Sequence, residues 1–191
     1  MAGFKLTYST MFNPPEEMHK GFDKAVAKLK AGLGKEYGMI IDGRDVFADN
    51  KFMDHSPVNT DWVLAVMQKG DASHANMAIE AARKAFPAWS HTPWQKRVQL
   101  VRKAAANLEK RIFELGAAMA LEVGKNRMES LGDVQETADL MYWSAQMMEE
   151  NDGFIKPMGK DPLTAWDSTN VSVLRPYGVW LVVSPFNFPF A

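Results

Sequence analysis

Cysteine is absent from the 191 residues. That excludes disulfides, cysteine-ligated metal and a cysteine nucleophile from this length of chain. Histidine is scarce as well. His19, His55, His74 and His91 stand far apart, with no i, i+4 pairing or ligand-like spacing, and no metal centre is expected. No apolar run reaches the roughly 18 residues that a bilayer span requires. The first ten residues, MAGFKLTYST, carry no hydrophobic signal core, so a cytoplasmic protein is expected. An excess of one charge is missing too: 22 basic and 23 acidic residues leave a net charge of −1, and nothing electrostatic favours nucleic acid or an anionic membrane as partner. There is no complete glycine-rich dinucleotide fingerprint. Gly32-Leu33-Gly34-Lys35 follows a helical pattern rather than a strand and lacks the Ser/Thr of a phosphate loop, so it reads as a helix terminator.

What is present is enough apolar residue, 47% of the chain against 24% charged, to bury a core in one domain or one domain plus an arm. The spacing predicts a helix over 12–35, with Asn13 as cap, Pro14 at the first position and Phe22, Val26, Leu29 and Leu33 on one face. Met39-Ile40-Ile41 with Asp42-Gly43 reads as a short strand and turn, and a polar, irregular segment follows. Residues 62–67 read as a strand and 73–86 as a helix closed by Pro87. Thr92-Pro93-Trp94-Gln95 reads as the cap of a single long amphipathic helix reaching Leu121 or Val123 and ended by Gly124. Glu109, Lys110, Arg111 and Glu114 fall on its solvated side. A further helix is predicted over 128–150. Its Met128, Leu131, Val134, Ala138, Met141, Ala145 and Met148 point inward, and Glu129, Asp133 and Glu136 form an acidic face read as solvated.

Residues 151–169, rich in Gly, Pro and Asp, read as a loop or hairpin arm. Two last strands are expected at 170–174 and 179–183. The second is a continuous apolar run, the pattern of a strand buried on both faces of a parallel sheet. It breaks at Ser184-Pro185-Phe186-Asn187-Phe188-Pro189, because each proline removes a backbone donor. Open α/β sheets set their ligands beyond the carboxyl ends of such strands. The element order indicates an α/β fold with an unfinished sheet.

Three stretches, in order, resemble the aldehyde dehydrogenase superfamily. Ala85-Phe86-Pro87-Ala88-Trp89 followed by Pro93 and Arg97 is similar to the family's N-terminal helix pair. Glu122-Val123-Gly124-Lys125 is similar to its E-x-G-K. Pro176-Tyr177-Gly178-Val179 through Ser184–Pro189 resembles its P-x-G-V strand and (W/F)-N-x-P loop. A narrower resemblance, carried by residues 122–127, by Asp133-Val134-Gln135-Glu136-Thr137-Ala138-Asp139 and by RPYGVWLVVSPFNFPFA, is to the 1-pyrroline-5-carboxylate (glutamate semialdehyde) dehydrogenases of proline breakdown.

The resemblance implies the N-terminal part of the aldehyde dehydrogenase fold. It divides the chain into 1–151, part of an NAD-binding domain; 152–175, an arm for homo-oligomerisation; and 176–191, the start of the parallel sheet. It implies that Asn187 donates to the oxyanion, that Val183, Ser184, Pro185 and Phe186 line NAD, and that Glu136 and Phe188 lie beside the aldehyde substrate. The family's nucleophilic cysteine, general-base glutamate and ribose-holding lysine and glutamate would lie beyond residue 191, so residues 1–191 alone are expected to be inactive. Two other readings stay open: an aldehyde dehydrogenase for succinate semialdehyde or an aliphatic aldehyde, and a non-catalytic assembly module on the same fold.

Overall fold

The computed structural model describes residues 6–7, 13–163, 165 and 167–191. The first helix, α1 (Glu16–Lys30), starts later than Asn13 predicts and has no side-chain cap. Pro15 disfavours the helical conformation at Pro14 and is itself extended (φ −69°, ψ 151°), so the helix opens only after the second proline. It ends at Lys30, short of the glycines.

Five short strands come next: β1 (Lys35–Glu36), β2 (Met39–Ile41), β3 (Arg44–Val46), β4 (Lys51–His55) and β5 (Val63–Gln68). β2 and β3 form a hairpin in which Ile41 pairs with Arg44, leaving Asp42 and Gly43 as a two-residue turn, both at positive φ (52° and 72°). That is the aspartate–glycine turn whose twist suits antiparallel strands. β3 and β4 correct the expectation of an irregular segment at this point. β4 is exposed and polar along most of its length, so it carries little of the apolar signal that marks a strand. It is paired all the same, antiparallel to β5, with β1 parallel on the other side in the order β1-β5-β4. The buried Gln68 side chain ties this sheet together, donating to Glu36 Oε1 (3.0 Å) and Tyr37 O (2.9 Å) and accepting from Ala48 N (2.9 Å).

Helix α2 (Ala72–His91) is opened by Asp71, whose carboxylate accepts from Ser73 N and His74 N. It runs through Pro87, contrary to expectation. The proline forfeits one donor on a helix with no buried residue, and side chains tie the last turn instead. Ser90 Oγ and His91 Nδ1 bond Pro87 O at 3.0 and 2.7 Å, and Thr92 Oγ1 donates to Ala88 O at 2.9 Å. Thr92 thus closes α2 rather than capping the next helix.

The long helix predicted from Thr92 to Val123 is two: α3 (Trp94–Lys110) and α4 (Ile112–Val123), broken at Arg111 (φ −106°, ψ 15°). The break lets α4 pack on α1 while α3 packs on the last helix, α5 (Arg127–Glu150). Glu109 is not merely solvated: its carboxylate accepts from Gln135 Nε2 (3.3 Å) and Tyr142 Oη (3.0 Å) on α5. The core lies among α1, α4 and α5, with Met18, Phe22, Ile112, Ala117, Met119, Leu131 and Val134 buried together and Phe190 packed against them.

After a 3₁₀ turn (Asp152–Phe154), β6 (Ile155–Pro157) pairs antiparallel with β7 (Val171–Val173), so the arm is a hairpin. The strand expected at 179–183 is absent. The segment has no strand partner among the described residues, and Trp180, Leu181, Val182 and Val183 are 73–87% exposed. A parallel strand exists only against neighbouring strands and covering helices, and no strand pairs with this segment among the described residues.

Candidate active-site cleft

One cleft of about 870 Å³ brings together Asn187 and Phe188 from the terminal loop with Glu129, Asp133, Glu136 and Asp139 from α5 and Lys125 from the α4–α5 junction. Each side chain owes its place to local chain chemistry. Gly124, in the left-handed region (φ 72°), closes α4 and turns the chain by a conformation that a side chain would strain. Lys125 follows directly. Asn126 then caps α5, its Oδ1 accepting from Glu129 N at 2.9 Å. Pro185, Phe186, Asn187 and Phe188 form a turn closed by Phe188 N donating to Pro185 O at 3.2 Å, which sets the asparagine at its tip.

The acidic face is not uniform. Glu129 and Glu136 are exposed, as predicted, but Asp133 is 2% exposed, which corrects its reading as solvated. Its Oδ2 lies 2.7 Å from Lys125 Nζ, itself largely buried, and its Oδ1 accepts from Ala191 N at 2.8 Å. Lys125 Nζ also stands 3.7 Å from the centroid of the Phe188 ring, a cation–π contact. Sequence reasoning missed this pair. Lys125 ends the E-x-G-K stretch, which by itself implies no role for it, and the i, i+8 separation from Asp133 is no usual helix pairing. The signal that was there was a lysine just ahead of a helix whose first turns carry three acids.

Of the other residues singled out, Glu136, Asn187 and Phe188 line the cleft together, whereas Val183, Ser184, Pro185 and Phe186 do not line it. Those four are exposed, with Phe186 at 88%. Pro185 O is the only backbone group among them hydrogen-bonded within the described residues. Each histidine is engaged by a protein group: His55 by Thr60 O, His74 by Asp71 and His91 by Pro87 O within a few residues, and His19 by Arg127 on a different helix.

Residues 47–191 match the aldehyde dehydrogenase family, and the chain belongs to that family. The fold is the N-terminal part of the aldehyde dehydrogenase fold, of α/β class. Among curated relatives, the 1-pyrroline-5-carboxylate dehydrogenase of Geobacillus sp. (strain WCH70) is 36% identical over 177 residues, 92% of this chain and 33% of that protein. The 1-pyrroline-5-carboxylate dehydrogenase 2 of Bacillus subtilis (strain 168) is 34% identical over 173 residues, 90% of this chain and 32% of its own length. The chain therefore spans about a third of the curated relatives it matches. The solved 1-pyrroline-5-carboxylate dehydrogenase from Thermus with bound NAD superposes with a TM-score of 0.85 at 28% identity, covering all of this chain and 36% of that one. The enzyme of that name from Mycobacterium tuberculosis, at 20% identity and TM-score 0.70 over 85% of this chain and 29% of its own, shares the fold.

Proposed function

We propose that the protein to which residues 1–191 contribute oxidises L-glutamate γ-semialdehyde to L-glutamate with NAD, in proline breakdown. The observation that carries this reading is the meeting of Asn187, Phe188 and Glu136 in one cleft. The names of the relatives and the NAD bound to the Thermus protein support it.

In this reading the rest of the protein supplies a cysteine thiolate, since this chain contains no cysteine. The thiolate adds to the aldehyde carbon. The Asn187 side-chain amide donates to the oxygen as it becomes an oxyanion, an interaction worth about 3 kcal/mol at the transition state. The hydride on that carbon would pass to bound NAD, which supplies the acceptor, and water would then displace the thiolate to release the acid. Val183, Ser184, Pro185 and Phe186 suit one wall for it: an exposed aromatic ring, two apolar side chains and unpaired backbone donors offer stacking and hydrogen bonds to a planar, polar-edged ligand. Phe188 flanks the aldehyde chain. Glu136, with Glu129 and Asp139 on the same cleft, favours a substrate that bears an ammonium over a purely anionic semialdehyde.

The same reading divides the chain into 1–151 and 176–191, both belonging to the NAD-binding domain, and the hairpin arm at 152–175, through which copies assemble. It sets the enzyme in the cytoplasm. Residues 1–191 alone are inactive on this account. The test compares kcat/KM of the full-length protein on glutamate semialdehyde and succinate semialdehyde. A preference for succinate semialdehyde overturns the substrate, and turnover by residues 1–191 alone overturns the division of labour.

A further inference from the structure

We propose that Lys125 and Asp133 form the positioning pair of the asparagine loop, a role that rests on the reading of Asn187 given above. Helix register accounts for the burial of Asp133 only in part. At 100° per residue Asp133 lies about 60° around α5 from the buried Ser130, but about 160° from Leu131 and away from the apolar face that carries Leu131, Val134, Ala138 and Ala145 into the helical core. A carboxylate at that position belongs in water unless other groups cover and satisfy it. Two do. Lys125 Nζ takes Oδ2 at 2.7 Å, and the Ala191 backbone N–H takes Oδ1 at 2.8 Å.

The pair therefore reaches the terminal loop twice, on the same side of Asn187. Lys125 Nζ, drawn inward by Asp133, stands 3.7 Å from the ring centroid of Phe188, the residue directly after the asparagine. Asp133 itself holds Ala191, beyond Pro189 and Phe190. On the other side, among the described residues, the loop is closed only by its own turn, Phe188 N to Pro185 O. Residues 183–186 are exposed and make no other hydrogen bond among the described residues, so they lend the asparagine no support. Asn187 is thus fixed from its C-terminal side, where the charge pair acts beside Phe190, which packs on the helical core. Neither member touches the reacting atoms in this arrangement. Both act through Phe188 and Ala191.

The test is amide hydrogen exchange of the full-length protein, followed by mass spectrometry with residue-level fragmentation. Exchanging the pair for apolar groups of similar size, Lys125→Met with Asp133→Leu, leaves no buried unpaired charge and keeps α5 folded. Exchange at Ala191 and Phe188 then accelerates about tenfold, as expected for the loss of one hydrogen bond, while Leu131 and Val134 in the helix core are unchanged. Lys125→Arg, which retains both the charge and the ring contact, keeps exchange at Ala191 slow. Unchanged rates at Ala191 and Phe188 overturn the proposal. So does an acceleration spread equally over Leu131 and Val134, which would assign the pair to the helix rather than the loop. Because none of these measurements involves turnover, they stand apart from the catalytic reading. If Asn187→Ala leaves the full-length enzyme's kcat intact, that reading fails while the exchange result still decides whether the pair holds the loop.

Discussion

Asn187, at the tip of a proline-bounded turn, and Glu136, in the middle of a 24-residue helix, line the same cleft. Their proposed roles differ in what each does to the transition state, and kinetics separates them. An oxyanion donor acts only as charge develops on oxygen. Asn187→Ala in the full-length protein is therefore expected to lower kcat by about 100- to 1000-fold with little change in KM. Glu136→Gln removes a charge that bound substrate and transition state feel alike. It is expected to raise KM for glutamate semialdehyde severalfold and leave kcat nearly unchanged. Steady-state kinetics on the two variants checks both, and the reverse pattern sinks the assignment.

Lys125 and Asp133 also make a stability prediction. Lys125→Met strands a carboxylate that is 2% exposed, and a buried pair broken on one side costs about 3–5 kcal/mol. Adding Asp133→Leu removes the stranded charge and is expected to restore most of the loss. Urea unfolding of the single and double variants gives the comparison. A single variant as stable as the parent would mean that Asp133 reaches water.

Gly116 on α4 faces Leu131 on α5: a Cβ on Gly116 would lie 2.8 Å from Leu131 Cδ2. Leu131 is fully buried, so it has little room to yield. Gly116→Ala is expected to destabilise by about 1–3 kcal/mol despite alanine's better helix propensity. Combining it with Leu131→Ala should cost less than the sum of the two single changes, since the new methyl enters the space that Leu131 vacates. Additive losses in a double-mutant cycle would show that the two helices adjust elsewhere.

The helices were largely legible because their signals are local. Apolar spacing carries α5 almost to its observed bounds, and Gly124 ends α4 as predicted. The failures arise where a distant part of the chain decides. Pro87 reads as a stop, but Ser90, His91 and Thr92 hold the turn beyond it. β4 has no apolar alternation, and only β5 beside it makes it a strand. Residues 179–183 have the composition of a buried strand but no strand to pair with among the described residues. In the cleft, motif resemblance led to Asn187, Phe188 and Glu136. Asp133 was misread because its burial comes from Lys125 and the end of the chain, which no helical wheel includes.

That exposed segment predicts a binding property. Trp180, Leu181, Val182 and Val183 form a run of apolar side chains whose backbone is unpaired among the described residues, the kind of edge that captures other chains or hydrophobic dyes. Residues 1–191 should bind an anilinonaphthalene dye and self-associate at micromolar concentration. Leu181→Lys with Val183→Lys should suppress the dye signal and the association that this segment drives, leaving any assembly through the 152–175 arm and the melting transition unaltered. A monomer by light scattering that leaves the dye dark would show that the segment finds cover within the chain.

Glu122 and Asp54 give a pH prediction. Burial, and then the charge of Asp54, hold the Glu122 carboxyl above its ordinary pKa; burial does the same for Asp54, partly offset by His55. A carboxyl whose pKa is raised by folding binds its proton more tightly in the native state. It therefore costs no stability while both states are protonated. As pH rises through the unfolded value near about 4.3, the unfolded chain ionises first and stability falls. The fall continues until the folded pKa is passed, and the deficit is constant above it. Glu122→Gln removes that deficit. It should stabilise the protein near neutral pH, by less than about 1 kcal/mol because the side chain is still partly in water, and the gain should shrink towards zero as pH falls to 4. Urea midpoints of parent and variant between pH 4 and 8 trace the difference. A gain of the same size at every pH would assign it to packing or hydrogen bonding of the new amide rather than to the lost charge.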